Sequence, residues 1–306
     1  MSRRKKGTPV HGWLVLDKPP GRTSTQALAA VKRLFNAQKA GHAGTLDPLA
    51  TGILPIAFGE ATKTVSYAVD GEKSYRFTVR WGEERSTDDA EGEVTARSEK
   101  RPTQGEIEAV LPRFRGEILQ TPPQFSAVKV EGNRAYDLAR DGEEVVLEPR
   151  AVVIEGLDIV AMPDASTTVL EAHCGKGTYV RALARDMGRA LGCLGHVIEL
   201  RRTRVGPFGE DDAVTLPELE AAAQGEGGAS LERFLRPVES ALHDLPGLQV
   251  SPADAASLAR GQAVLIRGRD APILSGPAYA ECKGRLIALG EIEKGALHPT
   301  RVFNLG

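Results

Sequence analysis

GHAGTLDPLATG, residues 41–52, sets one carboxylate, Asp47, between Leu46 and Pro48, with glycines at 41, 44 and 52. The apolar run ILPIAFG, residues 53–59, follows directly. Turn chemistry explains an Asp-Pro pair by itself. The proline pushes the preceding residue out of the right-handed helical region, and a carboxylate there accepts backbone N–H bonds. The neighbours favour a second reading. Glycines allow unusual backbone angles or close approach of a ligand, and a buried strand behind the loop would anchor it, as a carboxylate acting as nucleophile requires.

Working outward, HGWLVLDKP (11–19) is a short apolar run closed by a Pro-Pro-Gly turn, and STQALAAVKRLF (24–35) carries Leu28, Val31 and Leu34 or Phe35 at helical spacing. These predict strand, turn, helix. Downstream, ILPIAFG reads as a buried strand and ATKTVSYAV (61–69) as a short helix. In SYRFTVRWG (74–82), Tyr75, Phe77, Val79 and Trp81 alternate with polar or charged residues, the pattern of a half-buried strand whose inward face starts at Tyr75. EERSTDDAEGEVTARS (83–98) contains an acidic turn joining two antiparallel strands, and TQGE (103–106) has capping-box spacing before IEAVLPRF. QFSAVKVEG (124–132) and VVIEGLDIVAM (152–162) predict further strands.

TTVLEAHC, GKGT and YVRALARDMGRALG give strand, glycine turn and helix, with Val180, Leu183, Ala184, Met187 and Leu191 in one apolar stripe. HVIELRRTRVG (196–206) returns as a strand, and LERFLRPVESAL (231–242) reads as a helix behind the flexible-looking QGEGGAS (224–230). Strands and helices mix without a strict β-α-β rhythm, which predicts an α+β domain around a mixed, largely antiparallel sheet with flanking helices. The boundary falls near Leu245 to Leu248. Beyond it, the short β runs QAVLIRG, AYAECKG and RLIALGEI predict a small β-barrel-like appendage, so the expected domains are 1–246 and 247–306. The chain has no internal repeat.

Composition removes several classes. The 306 residues are 41% hydrophobic and 26% charged, and no apolar run reaches the ~18 residues of a membrane span. The start, MSRRKKGTPV, is basic with no apolar stretch behind it, unlike a secretory signal. Cys174, Cys193 and Cys282 form no C-x-x-C pair, which argues against a disulfide framework or structural zinc and fits a reducing cytoplasm. A net charge of -2 gives no global basic signature, although a basic patch can survive within it. Neither phosphate-loop nor dinucleotide-binding glycine spacing is present, and GKGT at 175–178 lacks the required pattern.

Most candidate site residues also have ordinary readings. His42 has no partner at metal-ligand spacing, and Tyr75 alone would be a core aromatic. Arg181 could be an exposed cation, but near a helix N-terminus the dipole gives it no help, which points to a carboxylate or phosphate partner. The basic runs AVKRLFNAQK and RRTRV, taken singly, read as solvated faces.

Taken together and in order, GHAGTLDPLATGILPIAFGEATK, KSYRF, PPQFSAVKVEGNRAYDLARDG, CGKGTYVRALARD and GCLGHVIELRRTRVG resemble the bacterial TruB family of tRNA pseudouridine synthases, which act on uridine 55 of the T loop. The segment from SLARGQAVLIRG through GRLIALGEIEKGALHPTRVFNLG resembles the PUA RNA-binding domain that follows the catalytic domain in that family. The resemblance implies a pseudouridine synthase fold, with Asp47 as catalytic aspartate, Tyr75 as active-site tyrosine and Arg181 as the arginine paired with Asp47. It also implies Leu200 as the apolar residue packed by the target base, and His42 and Tyr179 as substrate-contacting residues.

The lysine of LDKP, Lys18, matches a position that serves packing and stability. The reaction needs no metal or cofactor, and the resemblance implies a cytoplasmic monomer, without an obligatory protein partner, that binds the T arm of tRNA and reaches the acceptor stem through the PUA domain. A guanidinium beside Asp47 would favour its charged form. Lys32, Arg33, Lys39, Arg201, Arg202 and Arg204 are candidates to line one RNA groove. Two rivals remain at this point. One is a guide-RNA-dependent synthase of the dyskerin family, which typically reads PKVTG where this chain has PLATG after Asp47; the other is a non-catalytic tRNA-binding or folding factor.

Overall fold

A computed structural model describes residues 7–126, 128–130, 133–134, 146–225, 229–266 and 275–305. Ten strands form one mixed sheet. From edge to edge its main path runs Val214–Thr215, Gly12–Lys18, Thr51–Phe58, Gly195–Val205, Lys73–Trp81, Thr167–Cys174, Arg150–Asp164 and Gly116–Gln120. Ala40–His42 and Phe208–Gly209 pair beside this path. Two pairings are parallel, Gly12–Lys18 with Val214–Thr215 and Thr51–Phe58 with Gly195–Val205; the rest are antiparallel, as the mixed pattern predicts.

The sheet separates two apolar layers because side chains alternate along each strand. In Gly12–Lys18, Leu14 and Leu16 join the core that also holds Val31, Phe77, Leu183 and Met187, while Trp13 and Val15 join Ile53, Phe208 and Leu242 on the other side. Phe77, Val79 and Trp81 are buried as their spacing predicts, and Tyr75 is half-buried at the end of that row. The stripe Val180, Leu183, Ala184, Met187 and Leu191 is buried throughout on helix Val180–Leu191. That helix stops at Gly192, whose φ of +69° lets its N–H return to the Arg189 carbonyl. Helices Ser24–Leu34 and Gln104–Val110 begin at capping boxes built by Thr23 with Gln26 and by Thr103 with Glu106.

Five further strands form a separate open, curled sheet, in the order Gly247–Gln249, Gly276–Cys282, Arg285–Glu293, Ala296–Val302 and Val264–Leu265. Helix Pro252–Ala259 contributes Leu258 to its core beside Ala278, Ala288, Ile292 and Leu297. Leu286, Leu289 and Phe303 pack instead against the large sheet's second apolar layer. Polar contacts join the sheets: Lys63 Nζ donates to the Val302 carbonyl at 2.7 Å, and the Asn304 N–H donates to Glu60 at 2.7 Å.

The predicted helix over LERFLRPVESAL is corrected. Ala229–Glu232 makes one helical turn, Arg236 forms an antiparallel bridge with Trp13, and a 3₁₀ turn covers Val238–Leu242. Pro237 has no N–H and disfavours helical geometry at Arg236, whose N–H and carbonyl pair with Trp13 instead. ATKTVSYAV likewise divides into a 3₁₀ turn, Gly59–Lys63, and a short helix, Val65–Asp70. Residues 1–6 of the basic start, 127 and 131–132 of QFSAVKVEG, and 226–228 of QGEGGAS lie outside the described residues.

Candidate active site

The Asp47 loop is held from several sides. Ser24, in the first turn of helix Ser24–Leu34, accepts from the Leu46 N–H at 2.8 Å and donates to the Leu46 carbonyl at 3.0 Å. On the far side of Asp47, the Pro48 carbonyl accepts from the Gly21 N–H at 2.8 Å and from Lys18 Nζ at 3.3 Å. Lys18 is fully buried, its ammonium also donates to the carbonyls of Pro19 and Arg22, and burial pushes its pKa down to about 8. Leu46 anchors the loop in the core. Where the loop re-enters the sheet, Gly52 has φ +95°, and a Cβ there would stand 2.2 Å from the Arg202 carbonyl oxygen, so only glycine fits. Asp47 itself keeps 37% of its side chain exposed and remains open to a ligand.

Arg181 meets that carboxylate from helix Val180–Leu191. Its Nε lies 2.9 Å from Asp47 Oδ2 and 3.6 Å from Asp89 Oδ2. Nη1 donates to the Thr87 carbonyl at 2.8 Å and Nη2 to the Phe125 carbonyl at 2.9 Å, so the planar fork is used on every edge. At 5% exposure Arg181 is not a surface cation. One turn on, Arg185 pairs with Asp88 at 2.9 Å and donates to the Thr121 carbonyl. Burial pushes Asp88 up to about 6 despite Arg185 and Arg181 beside it. Asp89 is oriented in turn, accepting from the Thr87 hydroxyl at 2.6 Å and the Glu91 N–H at 3.0 Å.

Tyr179 caps the same helix through its backbone: its N–H donates to Gln120 Oε1 at 2.8 Å, and its carbonyl accepts from Gln120 Nε2 at 3.1 Å. Burial raises the pKa of its phenol. Tyr75 stands opposite Arg202 across the antiparallel pair, and Leu200 stands opposite Phe77, so Tyr75 and Leu200 lie on one face of neighbouring strands. Burial also raises the Tyr75 pKa, with the Arg202 charge opposing it. His42 lies on the strand beside Thr51–Phe58; burial first and Arg202 second lower its pKa, which leaves a neutral imidazole at pH 7.

The geometry brings Asp47 and Arg181 into direct contact and sets Tyr75 and Leu200 on the adjoining strands. Sequence reading missed Ser24, Gln120 and the inward role of Asp88 and Asp89. One signal was available: Arg181 and Arg185 sit four apart beside the apolar stripe and need buried acids, which the Asp-Asp pair of the acidic turn supplies. Arg202 is corrected outright. At 1% exposure it cannot line an RNA groove, whereas its neighbour Arg201, on the opposite face, pairs with Asp17 and Glu210.

A carboxylate fixed by a buried arginine, with a phenol and an apolar side chain on the next strands, suits acid–base or covalent chemistry on a planar substrate. Comparison with known proteins identifies the lineage. Residues 32–180 match the model for the TruB family pseudouridylate synthase N-terminal domain, and residues 181–243 match that for the tRNA pseudouridylate synthase B C-terminal domain. The tRNA pseudouridine synthase B of Bradyrhizobium diazoefficiens is 63% identical over 99% of this chain and 88% of its own, and that of Agrobacterium fabrum is 56% identical over 98% and 97%. Among solved structures, a chain of the archaeal box H/ACA sRNP Nop10–Cbf5 complex aligns with a TM-score of 0.73 at 26% identity, covering 99% of this chain and 91% of that one. The chain belongs to the TruB family of pseudouridylate synthases.

Proposed function

We propose that this chain isomerises uridine 55 in the T loop of tRNA to pseudouridine, with Asp47 as the catalytic carboxylate. The single observation that carries the reading is the Asp47–Arg181 pair at 2.9 Å, with Arg181 buried and Asp47 open, on a chain 63% identical to a tRNA pseudouridine synthase B. The reaction breaks the C1′–N1 bond, turns the uracil within the site and joins C1′ to C5; N1 gains a proton and C5 loses one. A charged carboxylate starts it, whether it attacks sugar or base or removes the 2′ proton. Extruding the base costs a few kcal/mol, which contacts with Tyr75 and Leu200 help offset. Tyr75 also helps remove the C5 proton, while His42 and Tyr179 contact the extruded nucleotide and its neighbours.

Affinity comes from the phosphate backbone and loop shape. Arg22 and Arg33 line an open groove along helix Ser24–Leu34, and Lys39 is exposed nearby in sequence, which supports the basic surface without Arg202. The sheet within 247–306 is assigned to a PUA-type domain that extends this surface toward the acceptor stem, after a catalytic domain of 1–246. The protein acts in the cytoplasm as a monomer; no helix among the described residues is long and apolar enough to cross a membrane. Full-length likeness to tRNA-acting relatives favours this reading over a guide-RNA-dependent one.

The test is incubation with an unmodified T-arm hairpin, without added metal or cofactor, followed by nucleoside chromatography, since an isomer has unchanged mass. The parent forms pseudouridine and Asp47→Asn forms none. An Asp47→Asn rate equal to the parent's would overturn the assignment.

A further inference from the structure

Among the described residues Arg202 is one of the largest fully buried side chains, yet no carboxylate lies within ion-pair distance of it. A buried cation without a counter-charge is costly and persists only where its donors are used. Here they are used on both ends of one loop. Nε donates to the Ile53 carbonyl at 2.8 Å, just after the loop, while Nη2 donates to the Gly44 carbonyl at 3.1 Å and Nη1, at 3.5 Å, to that of Thr45, just before Asp47. The backbone repeats the link, since Arg202 is in register with Gly52 on one side and Tyr75 on the other.

We propose that Arg202 is a positioning residue that clamps both ends of the Asp47 loop from beneath, so that the carboxylate is held in one place. The proposal rests on the role given above to Asp47. The planar fork is the feature that matters: a lysine at 202 keeps the charge but cannot reach carbonyls at both loop ends together.

The test compares parent, Arg202→Lys and Arg202→Gln in single-turnover assays on a T-arm hairpin, with hairpin affinity and circular dichroism measured alongside. The expected result is a fall of roughly 10²-fold in the single-turnover rate for Arg202→Lys at near-parent affinity, the scale of loss that a misplaced reacting group produces. A parent-like rate in folded Arg202→Lys, or a loss carried by affinity alone, overturns the proposal. Should the Arg202 variants fail to fold, nitrogen-15 spectra of the arginine-labelled parent decide: a guanidinium held by carbonyls at both loop ends exchanges slowly, and finding no slowly exchanging guanidinium beyond those of the buried Arg181 and Arg185 overturns the clamp. Activity of the parent with inactive Asp47→Asn keeps the functional assignment standing whichever way this comes out.

Discussion

Asp47 illustrates how little a residue's type says about its work. Asp before Pro is ordinary turn chemistry, and the Ala50 N–H does donate to the Asp47 carbonyl, as in a turn. What distinguishes it is that its side chain is left out of that turn and engaged by a buried guanidinium at 2.9 Å. Arg181→Lys keeps the charge but gives up the fork that also bonds Thr87 and Phe125. Its single-turnover rate is expected to fall by roughly 10²-fold while hairpin affinity stays close to the parent's, a contrast read by pairing rapid-quench kinetics with filter binding. Tyr75→Phe is expected to bind RNA normally and turn over poorly; an unchanged rate would leave the ring with packing alone.

Between elements, the site depends on polar contacts that no periodicity reveals. Ser24 ties helix Ser24–Leu34 to the Asp47 loop through both the N–H and the carbonyl of Leu46. Ser24→Ala leaves that buried N–H without its acceptor and should cost about 1–3 kcal/mol in urea unfolding, with a lower turnover because the loop loses an anchor. The acidic turn and helix Val180–Leu191 meet through Asp88 and Arg185. Asp88 is pushed up to about 6 in the fold, above its ordinary 3.8, so its favourable contribution is complete below about pH 4 and is lost as pH rises through about 6. Asn mimics the protonated form. Asp88→Asn should therefore match the parent's stability near pH 4 and gain relative to it by pH 7; denaturation midpoints at the two pH values check the sign, and a relative loss at pH 7 would show the Arg185 pairing to outweigh burial.

At the scale of the whole molecule, the two sheets share an apolar seam in which Leu286, Leu289 and Phe303 cover the layer of Trp13, Phe208 and Leu242. Truncation after Asp244 uncovers that layer, so the remaining chain should melt lower and aggregate more readily, besides binding tRNA more weakly; light scattering and thermal melts separate these effects. The alternating strand of Tyr75, the cap of helix Gln104–Val110 and the stripe of helix Val180–Leu191 were legible from sequence, because local periodicity and capping chemistry are properties of short stretches. Asp47, Tyr75 and Arg181 were legible only as motif positions. That Arg202 lies beneath the Asp47 loop rather than on a solvated basic face, that the Arg236 backbone pairs with Trp13 in place of a helical turn, and that Asp88 and Asp89 face inward were decided by tertiary structure. The physical reason is common to all three: whether a charge or a backbone group is solvated or buried depends on which distant donors and acceptors the folded chain brings to it, and that pairing is not encoded within any one segment.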